Sequence, residues 1–279
     1  MANSFKQMKN NGTLKRTDSG MFIKLDDIHV QEGFNKRVDD ERTQVADDDL
    51  FNHLAAGKPV PPLEVRPRDD GGVWLVEGHR RHRAYTRCRE AGKPVEWIAI
   101  LPFTGSDVER IARIMNSNSQ LALTPYEQSQ VVKELSGFNL TPDEIAALVG
   151  KSRATVDKLL ALTQANHDVQ TLVKDGAVAV DAAVDRVKQH GDAAGRVLAG
   201  DVEKAKKAGR SKVTKSFIAP QFSAPKSRNL VKIFAQAEVR EIDGQTAYIL
   251  PAGTQLDVLA ILDEYRSTST KENGDDQAL

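Results

Sequence analysis

From Met21 onward the apolar positions fall into short, regular groups. Phe22, Ile23, Leu25 and Ile28 predict a short strand running into a loop. Asp48–Ala56 predicts a short helix closed by Gly57, and Pro62–Arg66 a strand. Asp70-Gly71-Gly72 is a turn signal before a returning strand, Val73–Val76. A helix is expected from about Arg81 to Ala91, then an apolar strand over Val95–Leu101. Asp107–Asn116 has helical spacing, with Val108, Ile111, Ala112 and Met115 on one face.

After Leu123 the period is helical throughout. Thr124-Pro125-Tyr126-Glu127 and Thr141-Pro142-Asp143-Glu144 both place a capping hydroxyl before Pro, with Glu three residues on. Ser152 is the expected cap of the next helix, and further helices run to about Ala208. Val231–Val239 and Thr246–Leu250 read as strands around Asp243-Gly244. Gln255–Tyr265 reads as a helix with Val258, Leu259, Leu262 and Tyr265 on its apolar face.

These patterns divide the chain into a polar tail expected to be disordered (1–20) and a mixed unit (21–120). A helical unit (121–208), a basic linker (209–228), a small strand–helix unit (229–266) and a second disordered tail (267–279) follow. The fold class is α+β. No apolar run approaches the roughly 18 residues of a membrane span. MANSFKQMKNNGTLKR has no apolar segment of a secretory signal, and Cys88 is the only cysteine, so a cytoplasmic protein that meets no membrane is expected. Basic and acidic residues balance at 39 each, so total charge does not point to a polyanion. Distribution does. Gly78–Lys93 holds six basic residues against Glu90, and Lys204–Lys215 holds six with no acid.

The segment LTPDEIAALVGKSRATVDKLLALTQA, from about Leu140 to Ala165, predicts a helix-turn-helix. Ile145, Ala146 and Val149 would be buried on the first helix, and Val156, Leu159 and Leu160 on the second. Gly150 supplies the sharp turn. The first turn of the second helix enters the major groove in such motifs. Arg153 can reach a guanine edge or a phosphate. Ser152 and Thr155 can bond either, and Lys151 and Lys158 suit phosphates. The plainer alternative is a helical hairpin with a solvated charged face.

VWLVEGHRRHRAY is the second informative segment. A strand ends beside Gly78, where backbone can approach a ligand, and the new helix directs its first amides outward, a natural anion site. Arg80, Arg81 and Arg83 add forked donors, so a polyphosphate is the expected guest. A basic surface helix touching DNA or solvent is the alternative. His79 and His82 lack a third partner for a metal, and Cys88 is expected in the core beside Ala84.

Taken in order, these segments resemble the ParB/Spo0J family of partition proteins over roughly residues 21–207. The resemblance rests on GFNKR (Gly33–Arg37), AAGKPVPPLEVR (Ala55–Arg66), VEGHRRHRAY (Val76–Tyr85) and LTPDEIAALVGKSRATVDKLL. It implies a ParB/sulfiredoxin-like mixed N-terminal domain, an all-α helix-turn-helix domain and a small α/β C-terminal unit for dimerisation. It further implies a CTP-gated clamp on double-stranded DNA, with Mg²⁺, a homodimer and a ParA-type ATPase partner. By position, Gly57, Lys58 and Pro61 would lie near the base. Gly78, His79, Arg80, Arg81 and Arg83 would cradle the triphosphate. Asn116 and Asn118 fall in the family's "ENxQR" box, and Asn118 could give an oxygen to Mg²⁺. Two departures stand out. The Glu of the family's "GERR" is His79, and IMNSNSQLALTP lacks the acid and the Arg of "ENxQR". Both argue against hydrolysis, leaving at most a weak CTPase, but not against nucleotide binding. Two other readings stay open: a plain transcriptional regulator that never slides, and a nucleotide-dependent phosphotransferase on the same scaffold.

Overall fold

The computed structural model describes residues 3–116, 121–218, 224–242 and 244–263. Six strands form one mixed sheet: β1 Leu14–Thr17, β2 Gly20–Lys24, β3 Ile28–His29, β4 Leu63–Pro67, β5 Val73–Glu77 and β6 Trp97–Pro102, in the order β1-β2-β6-β4-β5-β3. Pairing is antiparallel except at β4–β6 and β3–β5. Alternation buries Leu63 and Val65 of β4, Val73 and Leu75 of β5, and Ile98 and Ile100 of β6 in one core. Helices α1 Phe5–Asn10, α2 Glu41–Ala55 and α3 His79–Glu90 complete this part.

Residues 3–20, expected to be a disordered tail, are instead part of the sheet unit. Met8 and Leu14 are buried in its core, and Asn3 Nδ2 donates to Arg68 O at 2.6 Å and Gly72 O at 3.0 Å. The β1–β2 ladder, the buried side chains and one amide together fix a segment whose composition alone looks unstructured. Helix α2 also begins earlier than its apolar spacing indicated. Asp40 caps it by accepting from Thr43 N at 2.7 Å, and the added turns carry Ala46 to the cavity described below and Asp47 to Arg80. Helix α3 begins at His79, two residues before the expected start, because Gly78 adopts the left-handed conformation (φ 104°) that lets strand turn directly into helix.

The helical part contains α4 Asp107–Asn116, α5 Pro125–Ser136, α6 Pro142–Val149, α7 Arg153–Gln164, α8 His167–Lys174, α9 Val180–His190, α10 Ala194–Lys207 and α11 Lys215–Ile218. Helix α4, expected in the mixed unit, shares its core with α5–α7: Ile111, Ala112 and Ile114 pack with Val131, Leu135, Ile145 and Val156. The expected linker is also partly folded. Val213 is fully buried, its N–H donates to Ala177 O and its O accepts from Ala179 N, both at 2.8 Å, and Ile218 joins the core of α8–α10. The pattern of two isolated apolar residues among cations gave no period to read.

In the C-terminal part α12 Ala224–Ala235 precedes the hairpin of β7 Glu238–Ile242 and β8 Gln245–Ile249. Residues 231–235, expected as strand, are helical; the strand starts only at Glu238. A helix over 255–263 follows and buries Val258 and Ile261, while Leu259, placed on its apolar face from spacing, is half exposed. Tyr265 and Asp243 lie outside the described residues. Among the described residues no helix is long and apolar enough to cross a membrane.

Candidate nucleic-acid interface and anion cavity

The α6–α7 pair is built by its caps. Thr141 and Glu144 form a reciprocal capping box at the start of α6. Gly150 ends α6 in the left-handed region (φ 64°), and Lys151 N donates to Ala146 O at 3.0 Å. Ser152 caps α7 by accepting from Thr155 N at 3.2 Å. Ile145, Ala146, Val149, Val156 and Leu159 are buried as their spacing predicts, Leu160 only partly, and Leu162 turns into the neighbouring core. Lys151, Ser152, Arg153, Thr155 and Lys158 are left on the outer side of the pair, with Thr155 half-buried under Ser152 and the rest exposed.

Two of the three long cations of this face, Arg153 and Lys158, are ion-paired. Arg153 is held between Asp143 of α6 and Asp157, one turn along its own helix. The Asp157 hydrogen bond, then the field of Asp143, raises its pKa. Lys158 Nζ lies 2.5 Å from Asp181 Oδ1 of α9.

A second candidate site is a cavity of about 610 Å³ between α2, α3 and the ends of β4 and β5. Pro61, Gly78, His79, Arg80 and Arg81 line it, five of the ten residues expected at a nucleotide. The first turn of α3 has no side-chain cap, and its first backbone bond runs from His82 N to Gly78 O, so the amides before it have no acceptor within the helix. A Cβ on Gly78 would stand 2.5 Å from Leu63 Cδ2 and 3.2 Å from an Arg81 nitrogen. His79 stacks on Phe34 with centroids 5.7 Å apart, and its buried Nε2 has no hydrogen-bond partner. Burial first, then His82, Arg83 and Arg110, push its pKa down to about 4. Arg80 donates to Asp47 Oδ1 at 2.7 Å and Ala46 O at 2.6 Å; Arg81 donates to Pro61 O and Pro62 O at 2.6 Å and pairs with Glu77. The combination of orphan amides, an orphan imidazole nitrogen, forked cations and a backbone that tolerates no Cβ fits an anionic, phosphate-bearing guest.

The other expected residues sit elsewhere. Gly57 (φ 72°) ends α2 and Lys58 continues the loop outside the cavity. Arg83 turns to Asp47 Oδ2 at 2.6 Å. Asn116 Nδ2 donates to Leu148 O at 3.1 Å, tying α4 to α6. Asn118 lies outside the described residues, and among those described no group of three His, Cys, Asp or Glu could hold a metal. Sequence reasoning missed Asn35, Arg37, Asp49 and His53, which also line the cavity. Asn35 and Arg37 lay in the quoted GFNKR, and the signal was there: a basic run with Asn on a segment lacking its own periodicity.

Residues 122–189 match the family model described as ParB HTH domain. A probable chromosome-partitioning protein ParB of Vibrio cholerae is 34% identical over 117 residues, covering 41% of this chain and 38% of that protein. The Myxococcus xanthus chromosome-partitioning protein ParB is 28% identical over 154 residues, covering 53% of this chain and 50% of that one. The chain thus spans about half or less of these relatives. A C-terminally truncated ParB of Caulobacter crescentus, solved in complex with the centromeric parS site, matches with TM-score 0.47 at 21% identity over 76% of this chain and 98% of that one. By its helix-turn-helix and these relatives the chain is ParB-like.

Proposed function

We propose that this ParB-like chain is a sequence-specific binder of double-stranded DNA, acting in partition of a chromosome, plasmid or mobile element. The observation that carries the reading is the α6–Gly150–α7 pair: both helices capped, the apolar faces buried, and Lys151, Ser152, Arg153, Thr155 and Lys158 on the outer side. The proteins it is similar to are named for chromosome partitioning.

The finer part of the proposal is a CTP-gated clamp. The cavity at the start of α3 supplies the phosphate end, with His79, Arg80 and Arg81 as the contacting groups and Gly78 as the position where backbone meets anion. Pro61 and its neighbours at the loop after α2 take the base. Mg²⁺, when bound, would neutralise phosphate charge; it needs only one or two protein oxygens beside phosphate and water. Asp49 on the cavity wall and Asn118 are the proposed donors.

Closure of a clamp requires a second copy. The C-terminal unit offers the surface for a homodimer: Val231, Phe234, Val239, Ile242 and Tyr248 are exposed on α12 and the hairpin, a density of large apolar groups that a solitary unit rarely shows water. A ParA-type ATPase is the proposed further partner, and a cytoplasmic, DNA-associated location goes with it.

The test is retention on closed circular DNA against linear DNA, with and without CTP, after a high-salt wash. The clamp reading expects CTP to increase retention on the closed form only. Equal retention in all four conditions overturns the clamp and leaves site-specific DNA binding, the behaviour of a plain regulator.

A further inference from the structure

The run Lys204–Lys215 has no part in the reading above, yet the fold brings its end to the DNA-facing side of α7. Two ion pairs define the placement. Lys158 of α7 lies 2.5 Å from Asp181, and Lys215 of α11 lies 2.7 Å from Asp185. Asp181 and Asp185 are four residues apart on α9 and therefore share one face of it. Lys158 and Lys215 consequently stand over the same side of α9, one turn apart. The field of Asp181 also reaches Lys215, whose pKa is raised first by its bond to Asp185.

The position of α11 is not a loose one. Val213 is fully buried and paired in both directions with the chain entering α9, through Ala177 O and Ala179 N at 2.8 Å. Lys212 and Lys215, exposed on either side of that anchor, are held next to the first turns of α9. A tethered basic tail would need no such anchor; a fixed surface does.

A helix seated in the major groove has a diameter of roughly 10–12 Å in a groove about 12 Å wide. Side chains on the flank of such a helix, and on the element packed beside that flank, meet the sugar–phosphate rows. Lys158 is such a residue, and α9 and α11 are such elements.

We propose that Lys212 and Lys215 extend the DNA surface of α7 across α9, forming with Lys158 a rim that contacts the phosphates flanking the read sequence. In the DNA-free protein Asp181 and Asp185 occupy the ammonium groups that phosphate oxygens take over on binding. The inference rests on the helix-turn-helix reading, and concerns backbone contact only: the rim adds affinity to every duplex and discriminates between none.

The experiment uses the full chain and random-sequence double-stranded DNA, with anisotropy titrations from roughly 50 to 200 mM salt. The K212A/K215A variant should bind several-fold more weakly at low salt. Its slope of log K against log salt should be shallower by about 0.9 for each phosphate that the protein no longer neutralises. K212R/K215R should restore the parental slope, and D185N should tighten binding by removing the internal competitor. Thermal melts in parallel separate a folding defect, which the arginine variant would report as well. Parental affinity and slope in K212A/K215A overturn the rim. Absence of parental binding at the lowest salt overturns the DNA-binding reading itself, whereas parental binding that Lys151→Ala weakens and K212A/K215A does not leaves that reading standing without the rim.

Discussion

The carboxylate of Glu127, with no exposure to solvent, accepts the backbone amide of Val38 at 2.6 Å with one oxygen and that of its own cap residue Thr124 at 2.6 Å with the other. One side chain thus closes the capping box of α5 and binds the segment that carries Asn35 and Arg37 to the cavity. Lys36 and Arg37 reinforce the same seam through Glu134 at 2.7 Å and Leu121 O at 2.8 Å. The cavity wall and the helical core are therefore in direct hydrogen-bonded contact.

Replacing Glu127 by Ala leaves two amides without their acceptor, at about 1–3 kcal/mol each. Urea unfolding should show a midpoint lowered by a corresponding amount. Glu127→Gln, which keeps one acceptor oxygen and the side-chain volume, should lose about half as much; no loss in that variant would mean that cavity formation in Glu127→Ala, and not the amide bonds, sets the cost.

Gly78→Ala meets two obstacles at once, a φ of 104° and a Cβ 2.5 Å from Leu63 Cδ2. The expected cost is about 2 kcal/mol or more. Binding of CTP, read by calorimetry, should be weakened beyond what the fraction unfolded accounts for. Gly57→Ala, also at positive φ but with open space around its Cβ, should cost stability alone.

Arg153→Ala should reduce affinity for the target duplex by roughly ten- to a hundredfold if the guanidinium reads a base. Random-sequence DNA should be affected far less. Lys158→Ala should weaken both duplexes alike and flatten the salt dependence. Parallel losses in the two variants would place Arg153 on phosphate.

His79 carries an acid-sensitive share of the stability. Its folded pKa, about 4, lies below the unbound imidazole value of 6.5, so between those limits the unfolded chain holds a proton that the folded chain refuses. Stability is complete above the upper limit and declines as pH falls through the window, by on the order of 3 kcal/mol at its acid end. Urea midpoints at neutral and mildly acid pH should diverge in the parent and converge in His79→Gln. An unchanged divergence in that variant would assign the effect to other groups.

Most of the fold was legible where one physical signal dominates. Capping boxes located α5 and α6 to the residue because Thr, Pro and Glu each satisfy a separate demand of a helix start. Strands β4, β5 and β6 were legible from alternation next to a Gly turn. Segments stabilised from outside were not. Leu14 and Met8 are buried by the sheet they lean on, and Val213 by α9, so neither leaves a period in its own neighbourhood. The cavity was half legible for the same reason. Gly78–Arg81 announce a helix start after a strand, whereas Asn35 and Arg37 reach the cavity only because Glu127 and Leu121 hold their backbone and side chain from another element. The Arg153–Asp143 and Lys158–Asp181 pairs could not be read at all, since they join helices whose relative placement is a tertiary fact.

On the DNA-binding proposal, those pairs bear on how a site would be found. At physiological ionic strength charge is felt over about 8 Å. Arg153, Lys158 and Lys215 each carry a carboxylate within that range, so a distant duplex meets dipoles that largely cancel, in a chain with no net charge to draw it in. Long-range steering is weak under those conditions. Encounter is then governed by diffusion, and selectivity by whether a groove can draw Arg153 away from Asp143 and Asp157 once the two surfaces meet. Under that proposal Arg153 lingers little on a wrong sequence, because leaving it restores bonds the protein already had.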